Sequence, residues 1–378
     1  MMRWEVKKLG EVCTLQRGFD LPKNLREKGD YPLISSSGEI DTHCEPKVKS
    51  PGIVTGRSGS IGSLFFVEKD FWPLNTTLFV KDFHGNDPRF IFYLLKHFDL
   101  GRFASGTGVP TLNRNHVHDE KINITTSLEE QKRIVEILDK AFEGIAQAEA
   151  NTRRNLINAR ELFNSYLNNI FIQKKGDWET KTIADISTKI EYGSSSKSAQ
   201  YENNDSIPVL RMGNIQNGLI NWNDLVYTDR KDEIEKYSLQ YNDVLFNRTN
   251  SDIHVGKSGI YKGERPAIFA GYLIRIHYKK EEINPDFLNF YLNSSIAREY
   301  GSSVMSRSIN QANINGTKLK SYPIYIPSLP MQNKIVDSLY KLKNQAKKLE
   351  TIYQRKLEAI AELKQSILEK AFTGQLSQ

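Results

Sequence analysis

Cysteine is nearly absent from this sequence: Cys13 and Cys44 are the only two in 378 residues. Two thiols can build neither a disulfide framework nor a four-thiolate zinc site. No run approaches the roughly 18 apolar residues of a membrane-spanning helix, and the first residues lack the apolar stretch of a secretion signal. We therefore expect a chain without membrane segments in a reducing, cytoplasmic compartment.

Recognisable catalytic and cofactor motifs are also missing. Gly56–Gly62 has the spacing GxxGxxG rather than the GxGxxG of dinucleotide sites, and no GxxxxGK[ST] phosphate loop occurs. The segment 284–287 (NPDF) departs from the Asn-Pro-Pro-aromatic motif of amino-methyltransferases and is better interpreted as a helix start. His43–Cys44 and His116–His118 lack a second set of ligands at metal-binding spacing. We predict no catalytic residue, no metal and no cofactor held by this chain.

The charge balance is mildly positive, with 52 Lys and Arg against 45 Asp and Glu, a net charge of +7. This excess permits nucleic-acid binding without requiring it, because phosphate contact depends on local basic clusters rather than on the total charge.

One plan occurs twice along the chain. The opening WEVK at Trp4 returns as WETK at Trp178, and SLEEQKRIVEIL at Ser127 returns as SLPMQNKIVDSL at Ser328, 201 residues later. The same offset relates RNLINARELFNSYLNNIF (154–171) to RKLEAIAELKQSILEKAF (355–372). Each copy is thus a variable globular segment followed by a long segment of fixed length.

The two fixed segments show the alternating intervals of four and three residues that are typical of paired helices. The first stripe is Ile134, Leu138, Ala141, Ile145, Ala148, Thr152, Asn155, Ala159, Leu162 and Tyr166. The second is Ile335, Leu339, Leu342, Ala346, Leu349, Tyr353, Lys356, Ile360, Leu363 and Ile367. At a rise of about 1.5 Å per residue, each helix is roughly 65 Å long. Packing of the stripes on each other and packing on another chain both satisfy this pattern.

The globular segments combine short β-like runs with helical stretches, so we predict an α+β protein. It has two mixed α/β domains separated by two long antiparallel helices that form a coiled coil, with an internal pseudo-two-fold repeat. The predicted division is 1–127 and 173–329 for the domains, 128–172 and 330–372 for the helices, and 373–378 for a tail lying near the N-terminus.

Loops in both halves present arginine, amide and hydroxyl side chains beside small residues. Such side chains read base edges, because Arg pairs with guanine and Asn or Gln with adenine, while Ser, Thr and backbone N–H groups hold phosphates. For any single position, ordinary loop composition is the better explanation. The recurrence of Arg57 with Arg248, and of Asn113 with Asn310, favours recognition. The candidate DNA-binding residues are Arg17, Ser36, Arg57, Ser58, Asn113, Arg114, Arg211, Asn214, Arg248, Thr249, Arg307, Asn310 and Gln311.

The order and duplication of these motifs resemble the specificity (S) subunit of type I restriction-modification systems. The resemblance rests on the two WE-x-K openings, the two S-L-x-x-Q-x-[RK]-I-V runs, the duplicated helices and the final ILEKAFTGQL (367–376), and it covers essentially the whole chain. It implies two target recognition domains that each read one half of a split, asymmetric site in double-stranded DNA. Recognition loops differ among family members, so no base-contacting residue is carried over.

The resemblance also implies partners. The S subunit is non-catalytic and docks two modification subunits, which bind S-adenosylmethionine and methylate adenine, and restriction subunits can join them. Two other readings of the sequence remain open. One is a freestanding nucleic-acid enzyme, and the other is a coiled-coil scaffold that joins protein partners without reading DNA.

Helix length provides a test of the split-site reading. Half-sites read on one face of DNA lie about one helical turn, roughly 34 Å, apart. Inserting or deleting about one turn in both helices should therefore change the length of the unread spacer and leave both half-site sequences as they were. Mapping of methylated sites measures both quantities, and altered half-sites would contradict the expectation.

Overall fold

The computed structural model describes residues 4–106, 110–173, 178–251, 254–308 and 311–377. The chain divides into two compact units. Unit 1 is Met1–Arg154 with Tyr353–Gln378, and unit 2 is Asn155–Ile352. Each unit therefore contains one globular segment and half of each long helix. We describe the two units separately.

The described helices in chain order are α1 (Leu9–Val12), α2 (Pro88–Phe98), α3 (Arg114–His118), α4 (Leu128–Gln173), α5 (Ile183–Ile186), α6 (Lys231–Tyr237), α7 (Pro285–Leu292), α8 (Ser295–Val304), α9 (Gly316–Lys320) and α10 (Leu329–Phe372). The strands of unit 1 are β1 (Trp4–Lys8), β2 (Thr14–Arg17), β3 (Tyr31–Ser35), β4 (Gly38–His43), β5 (Gly52–Gly56), β6 (Leu64–Val67), β7 (Trp72–Pro73), β8 (Thr77–Asp82), β9 (Ala104–Ser105), β10 (Thr111–Leu112) and β11 (Lys121–Thr125). Those of unit 2 are β12 (Glu179–Thr182), β13 (Ser187–Tyr192), β14 (Ile207–Leu210), β15 (Ile215–Gln216), β16 (Gly218–Ile220), β17 (Val226–Thr228), β18 (Val244–Asn247), β19 (Thr249–Asn250), β20 (Ser258–Ile260), β21 (Ile268–Phe269), β22 (Leu273–Tyr278), β23 (Ser306–Ser308), β24 (Gln311–Asn313) and β25 (Pro323–Ile326).

Unit 1 is built on two small sheets with strand orders β2-β8-β5-β6 and β4-β3-β7. Strand β3 pairs antiparallel with β4 and parallel with β7. Strands β1 and β11 form a separate antiparallel ribbon with Trp4 opposite Thr125. The largest core of the unit joins the first sheet to α2 and to the facing parts of both long helices, through Phe90, Ile134, Leu138 and Phe372.

Unit 2 repeats this topology. Its larger sheet has the order β13-β22-β18-β20, extended by β16 and β15, and its smaller sheet has the order β17-β14-β21. Strand β14 pairs antiparallel with β17 and parallel with β21, as β3 does with β4 and β7. Strands β12 and β25 form the matching ribbon. The mixed α/β architecture and the internal repeat predicted from the sequence are thus confirmed.

A buried glutamine explains the repeated S-L-x-x-Q motif. Gln131 in α4 is fully buried; its Oε1 accepts from the Asp87 N–H (2.8 Å) and its Nε2 donates to the Thr125 carbonyl (2.8 Å). Gln332 in α10, also fully buried, makes two similar bonds: it accepts from the Asn284 N–H (2.8 Å) and donates to the carbonyl of Pro327 (2.9 Å), the residue that follows β25.

Each glutamine thereby joins three elements. It fixes the first turns of a long helix, the strand that leads into that helix, and the start of α2 or α7. The latter helices begin alike, because Asp87 and Asn284 each accept two backbone N–H groups and Pro88 and Pro285 occupy the first helical position.

The long helices pack on each other within both units, and they run antiparallel. In unit 1, Glu149 of α4 pairs with Lys364 of α10, and Arg133 donates to the Leu376 carbonyl just beyond α10 (3.0 Å). In unit 2, Arg160 lies 3.5 Å from Glu350. The predicted antiparallel pairing is confirmed. Among the described residues, no helix combines the length and apolar character needed to cross a bilayer.

The predicted heptad stripe holds for only part of each helix. Leu162 and Leu363, which occupy equivalent positions, are 41% and 47% exposed, so their assignment to the seam was wrong. Tyr166 is likewise 41% exposed, whereas its neighbour Leu167 is buried. A straight helix drifts by about 20° per heptad from a strict 3.5-residue repeat, so the buried face moves along the sequence.

Two polar members of the predicted stripes also lie outside the buried face. Asn155 and Lys356 are exposed, and Leu156 lies buried next to the former. Thr152 does lie in the buried face, with a side chain 1% exposed that donates to the Ala148 carbonyl (2.7 Å).

The buried glutamines predict a large and local stability effect. Gln332→Leu preserves the volume of the side chain but leaves the Asn284 N–H and the Pro327 carbonyl without their partner. Each unsatisfied buried group costs roughly 1–3 kcal/mol, so we expect a clear drop in the urea midpoint. The matched control is Gln345→Leu at an exposed position of α10, which should stay within about 0.5 kcal/mol of the parent chain. Equal midpoints for both variants would contradict the assigned role.

Candidate nucleic-acid interface

Unit 1 contains a concavity of about 360 Å³ that gathers four of the predicted DNA-binding residues. Arg17 comes from the end of β2, Arg57 from the loop after β5, and Asn113 with Arg114 from the start of α3. The described residues that line it are Arg17, Arg57, Leu78, Thr111, Leu112, Asn113, Arg114 and Asn115. None of them is acidic, so the concavity has a surplus of positive charge and suits an anionic ligand.

Backbone hydrogen bonds hold these loops together. The Arg57 N–H donates to the Thr76 carbonyl (2.9 Å), and the Arg57 carbonyl accepts from the Leu112 N–H (2.8 Å). Asn113 caps α3 by accepting from the Asn115 N–H (3.0 Å). The loop after β5 is therefore fixed against β10, directly before the cap of α3.

The remaining candidates of unit 1 lie beside the concavity. Ser58 donates its N–H to the Thr76 carbonyl (3.1 Å) and forms a bridge with Thr111. Ser36, in the turn between β3 and β4, donates its N–H to Thr76 Oγ1 (3.4 Å). Arg17 is held by the Asp20 carboxylate at 3.0 Å, so part of its charge is neutralised.

Unit 2 has a larger concavity, of about 520 Å³, that includes Arg211 and Asn214. Asn214 is 3% exposed, and its Nδ2 donates to the Asn221 and Asn223 carbonyls, both at 2.9 Å. Its Oδ1 accepts from the Arg211 N–H (2.8 Å). The amide of Asn214 therefore shapes the wall through backbone partners. The Arg211 guanidinium donates to the Asp224 carbonyl (2.8 Å) at the same wall.

Arg248 occupies the position in unit 2 that Arg57 occupies in unit 1. Its N–H donates to the Tyr272 carbonyl (3.0 Å) and its carbonyl accepts from the Ile314 N–H (2.8 Å), the same backbone pattern as at Arg57. The side chain differs, since the guanidinium lies 4.9 Å from the centre of the Tyr192 ring and donates to the Gly271 carbonyl (3.2 Å). The expected equivalence of Arg57 and Arg248 therefore holds for their backbone hydrogen bonds.

The expected recurrence of Asn113 with Asn310 is wrong. Ser58 lies opposite Thr111, and the equivalent Thr249 lies opposite Asn313. The residue that matches Asn113 is therefore Asn315, which caps α9 as Asn113 caps α3. The sequence comparison failed because loops of different length precede these two helices.

The other candidates of unit 2 are divided between buried and exposed positions. Thr249 is 8% exposed, and its Oγ1 accepts from Asn313 Nδ2 (2.7 Å). Arg307 in β23 and Gln311 in β24 are exposed on neighbouring strands. Asn310, between them, lies outside the described residues.

The sequence analysis missed three residues that line the unit 2 concavity: His254, Lys257 and Tyr272. The charge of Lys257, followed by burial and Arg298, lowers the pKa of His254, and burial followed by Arg298 lowers the pKa of Lys257. The charges of Lys257 and Arg298 contribute to these shifts, and cationic side chains this close together favour an anion. A basic pair between two short strands was visible in the sequence, but only the fold brings it beside Arg211.

Two of the three metal-like histidines form hydrogen bonds to backbone groups of the fold. His118 Nε2 accepts from the Leu15 N–H (2.9 Å), and His43 Nδ1 accepts from the Glu27 N–H (3.1 Å). Over the described ranges, no group of three or more His, Cys, Asp or Glu side chains is arranged to hold a metal. The NPDF segment is the capped start of α7, as the sequence analysis interpreted it.

Two units of one topology, each with a concave cluster of cationic and amide side chains, define a duplicated binding protein. The family model described as the type I restriction modification DNA specificity domain matches residues 1–159 and 175–359. Since these matches cover most of the chain, the chain belongs to that family.

Individual relatives agree with this assignment. A protein assigned as the type I restriction enzyme MjaX specificity subunit of Methanocaldococcus jannaschii is 30% identical over 202 residues, which are 52% of this chain and 46% of that protein. The EcoKI specificity subunit of Escherichia coli K12 is 29% identical over 196 residues, 51% of this chain and 42% of that one. The alignments therefore span less than half the length of these curated relatives.

Two solved structures share the fold. One is a chain from work on complex assembly and conformational transition of the type I R-M system, with a TM-score of 0.76, 16% identity and 98% coverage of both chains. The other is the HsdS subunit from Thermoanaerobacter tengcongensis, with a TM-score of 0.62, 19% identity and coverage of 98% and 97%.

The equivalent arginines provide a test of the two loops that carry them. Arg57 lines the unit 1 concavity, whereas Arg248 lies outside the lining of the unit 2 concavity, against Tyr192 and the Gly271 carbonyl. We expect Arg57→Ala and Arg248→Ala each to relax base preference in one half-site only, because a lost bidentate pair to a base costs about 1–3 kcal/mol of discrimination. Mapping of methylated sites measures the preference. The control is Arg230→Ala, since Arg230 pairs with Asp232 at the start of α6 and belongs to neither of these loops. Equal loss on every DNA sequence would instead indicate phosphate contact.

Proposed function

We propose that this chain is the DNA-reading subunit of a type I restriction-modification complex, with one half of a split site read by each unit. The observation that carries the proposal is the duplication of a basic concavity on the same scaffold. Its walls in unit 1 hold Arg17, Arg57 and Arg114, and those in unit 2 hold Arg211 and Lys257. Membership of the specificity-domain family supports the same reading.

The chemistry of the two concavities suits double-stranded DNA. Arginine side chains hold phosphates or form bidentate pairs with guanine, and amides such as Asn115 and Asn250 pair with adenine. The two sets of lining residues differ, as two different half-sites require. In this proposal the candidate residues act in binding, and Asn214 acts through the shape of the wall.

The exposed apolar residues of the long helices fit the docking of two modification subunits. Leu162 and Leu363 are equivalent in the repeat and are 41% and 47% exposed. In unit 2, Leu162, Tyr166 and Ile172 line a shallow groove along α4. Large apolar side chains exposed together on one face mark an interface with another protein. The recurrence of the exposed leucine provides one such surface in each unit.

The catalytic steps belong to the partners in this proposal. The modification subunits bind S-adenosylmethionine and transfer its methyl group to adenine, and restriction subunits cleave DNA when they are part of the complex. This chain contributes no catalytic residue. The paired helices set the length of the unread spacer.

Salt dependence tests DNA binding against a protein scaffold. A protein that neutralises phosphates releases counterions, so log K falls against log salt by about 0.9 per phosphate. If all five cationic side chains of the concavities each meet a phosphate, the slope reaches about −4.5. We expect a slope of several units for the full chain on duplex DNA, measured by fluorescence anisotropy. A flat salt dependence would favour the scaffold.

A further inference from the structure

A second basic surface lies in unit 2 beside the concavity. It is a groove of about 690 Å³ between α4, α10, the turn before β16 and helices α7 and α8. Its described cationic residues are Arg160, Lys257, Arg298, Lys343 and Lys347, and its one acidic residue is Glu350. The floor is apolar and includes Phe163, Leu167 and Phe290. The groove therefore has a strong surplus of positive charge above an apolar base.

The fold holds part of this charge in place. Lys343 Nζ donates to the Asn217 carbonyl (3.2 Å) and lies 5.8 Å from the centre of the Phe163 ring. Burial, followed by the charge of Lys347, lowers the pKa of Lys343. The Glu350 carboxylate is shared with Arg160 at 3.5 Å, an exposed pair of little energetic weight. An anion entering the groove would relieve the repulsion among the lysines.

Helix pairing does not require these charges. At the 201-residue offset of the repeat, Phe142 stands where α10 has Lys343, and Ala146 stands where it has Lys347. Similarly, Ala361 matches Arg160. At these positions unit 1 has the half-buried Phe142 and the exposed Ala146 and Ala361, so the cationic side chains are confined to unit 2.

Lys257 connects the groove to the reading concavity, because it lines both. We infer that the groove is a track for the DNA phosphate backbone, which leaves the unit 2 concavity at Lys257 and continues past Lys343 and Lys347 along the helices. The inference rests on the proposed function and extends it to DNA outside the bases that are read. Contacts of this kind add affinity without sequence information.

Two neighbouring lysines of α10 give a matched experiment. Lys347 lines the groove, whereas Lys348 is exposed and does not line it. Lys347→Gln and Lys348→Gln make the same change of charge in consecutive residues. The full chain and both variants are titrated with salt on two labelled duplexes, one carrying the mapped methylation site and one scrambled.

We expect Lys347→Gln to flatten the slope of log K against log salt by about one unit and to weaken binding by up to about eightfold at 0.1 M salt. Both duplexes should lose affinity equally, the methylated motif should not change, and Lys348→Gln should match the parent chain.

Three outcomes would overturn the inference. Identical slopes for all three chains would remove the groove from the DNA path while leaving the proposed function intact. If Lys347→Gln no longer co-elutes with the modification subunit on size exclusion while its DNA affinity is unchanged, the groove binds an acidic protein segment instead of DNA. A flat salt dependence of the parent chain itself would remove the proposed function as well.

Discussion

The buried glutamine at the start of each long helix is the interaction on which both units depend. A helix of more than 40 residues can act as a fixed spacer only if its end is held to the domain that it carries. Gln131 and Gln332 do this by bonding backbone groups of the preceding strand and of a neighbouring helix. Because the partners are backbone atoms, the attachment is independent of the side chains in the variable loops. The loops can therefore change while the frame stays the same.

Each long helix packs both against its partner helix and against a globular core, and this explains the departure from a regular coiled coil. In unit 2, Phe171 of α4 packs on Trp178 and Phe287, so the end of the helix belongs to a globular core as well as to the helix pair. The buried face must turn toward that core. Leu162 is left exposed as a result, and its repeat equivalent Leu363 is exposed in unit 1.

The sequence predicted the parts of this protein that repeat. Motif order, helix pairing and the helix start at Pro285 followed from spacing and capping rules, which depend only on local geometry. The functional residues of the loops were predicted less well. Asn113 was matched to Asn310 rather than to Asn315 because alignment by residue type does not show which backbone N–H group bonds the carbonyl of Arg57 or Arg248. Lys257 and Tyr272 were missed since the fold alone brings them beside Arg211.

We propose that this chain supplies the DNA specificity of its complex. Co-expression with the neighbouring candidate modification subunit, followed by genome-wide mapping of methylated adenines, tests it most directly. We expect a split, asymmetric motif that appears only when both chains are present. Methylation by the partner alone, with the same motif, would contradict the claim and leave this chain as a scaffold.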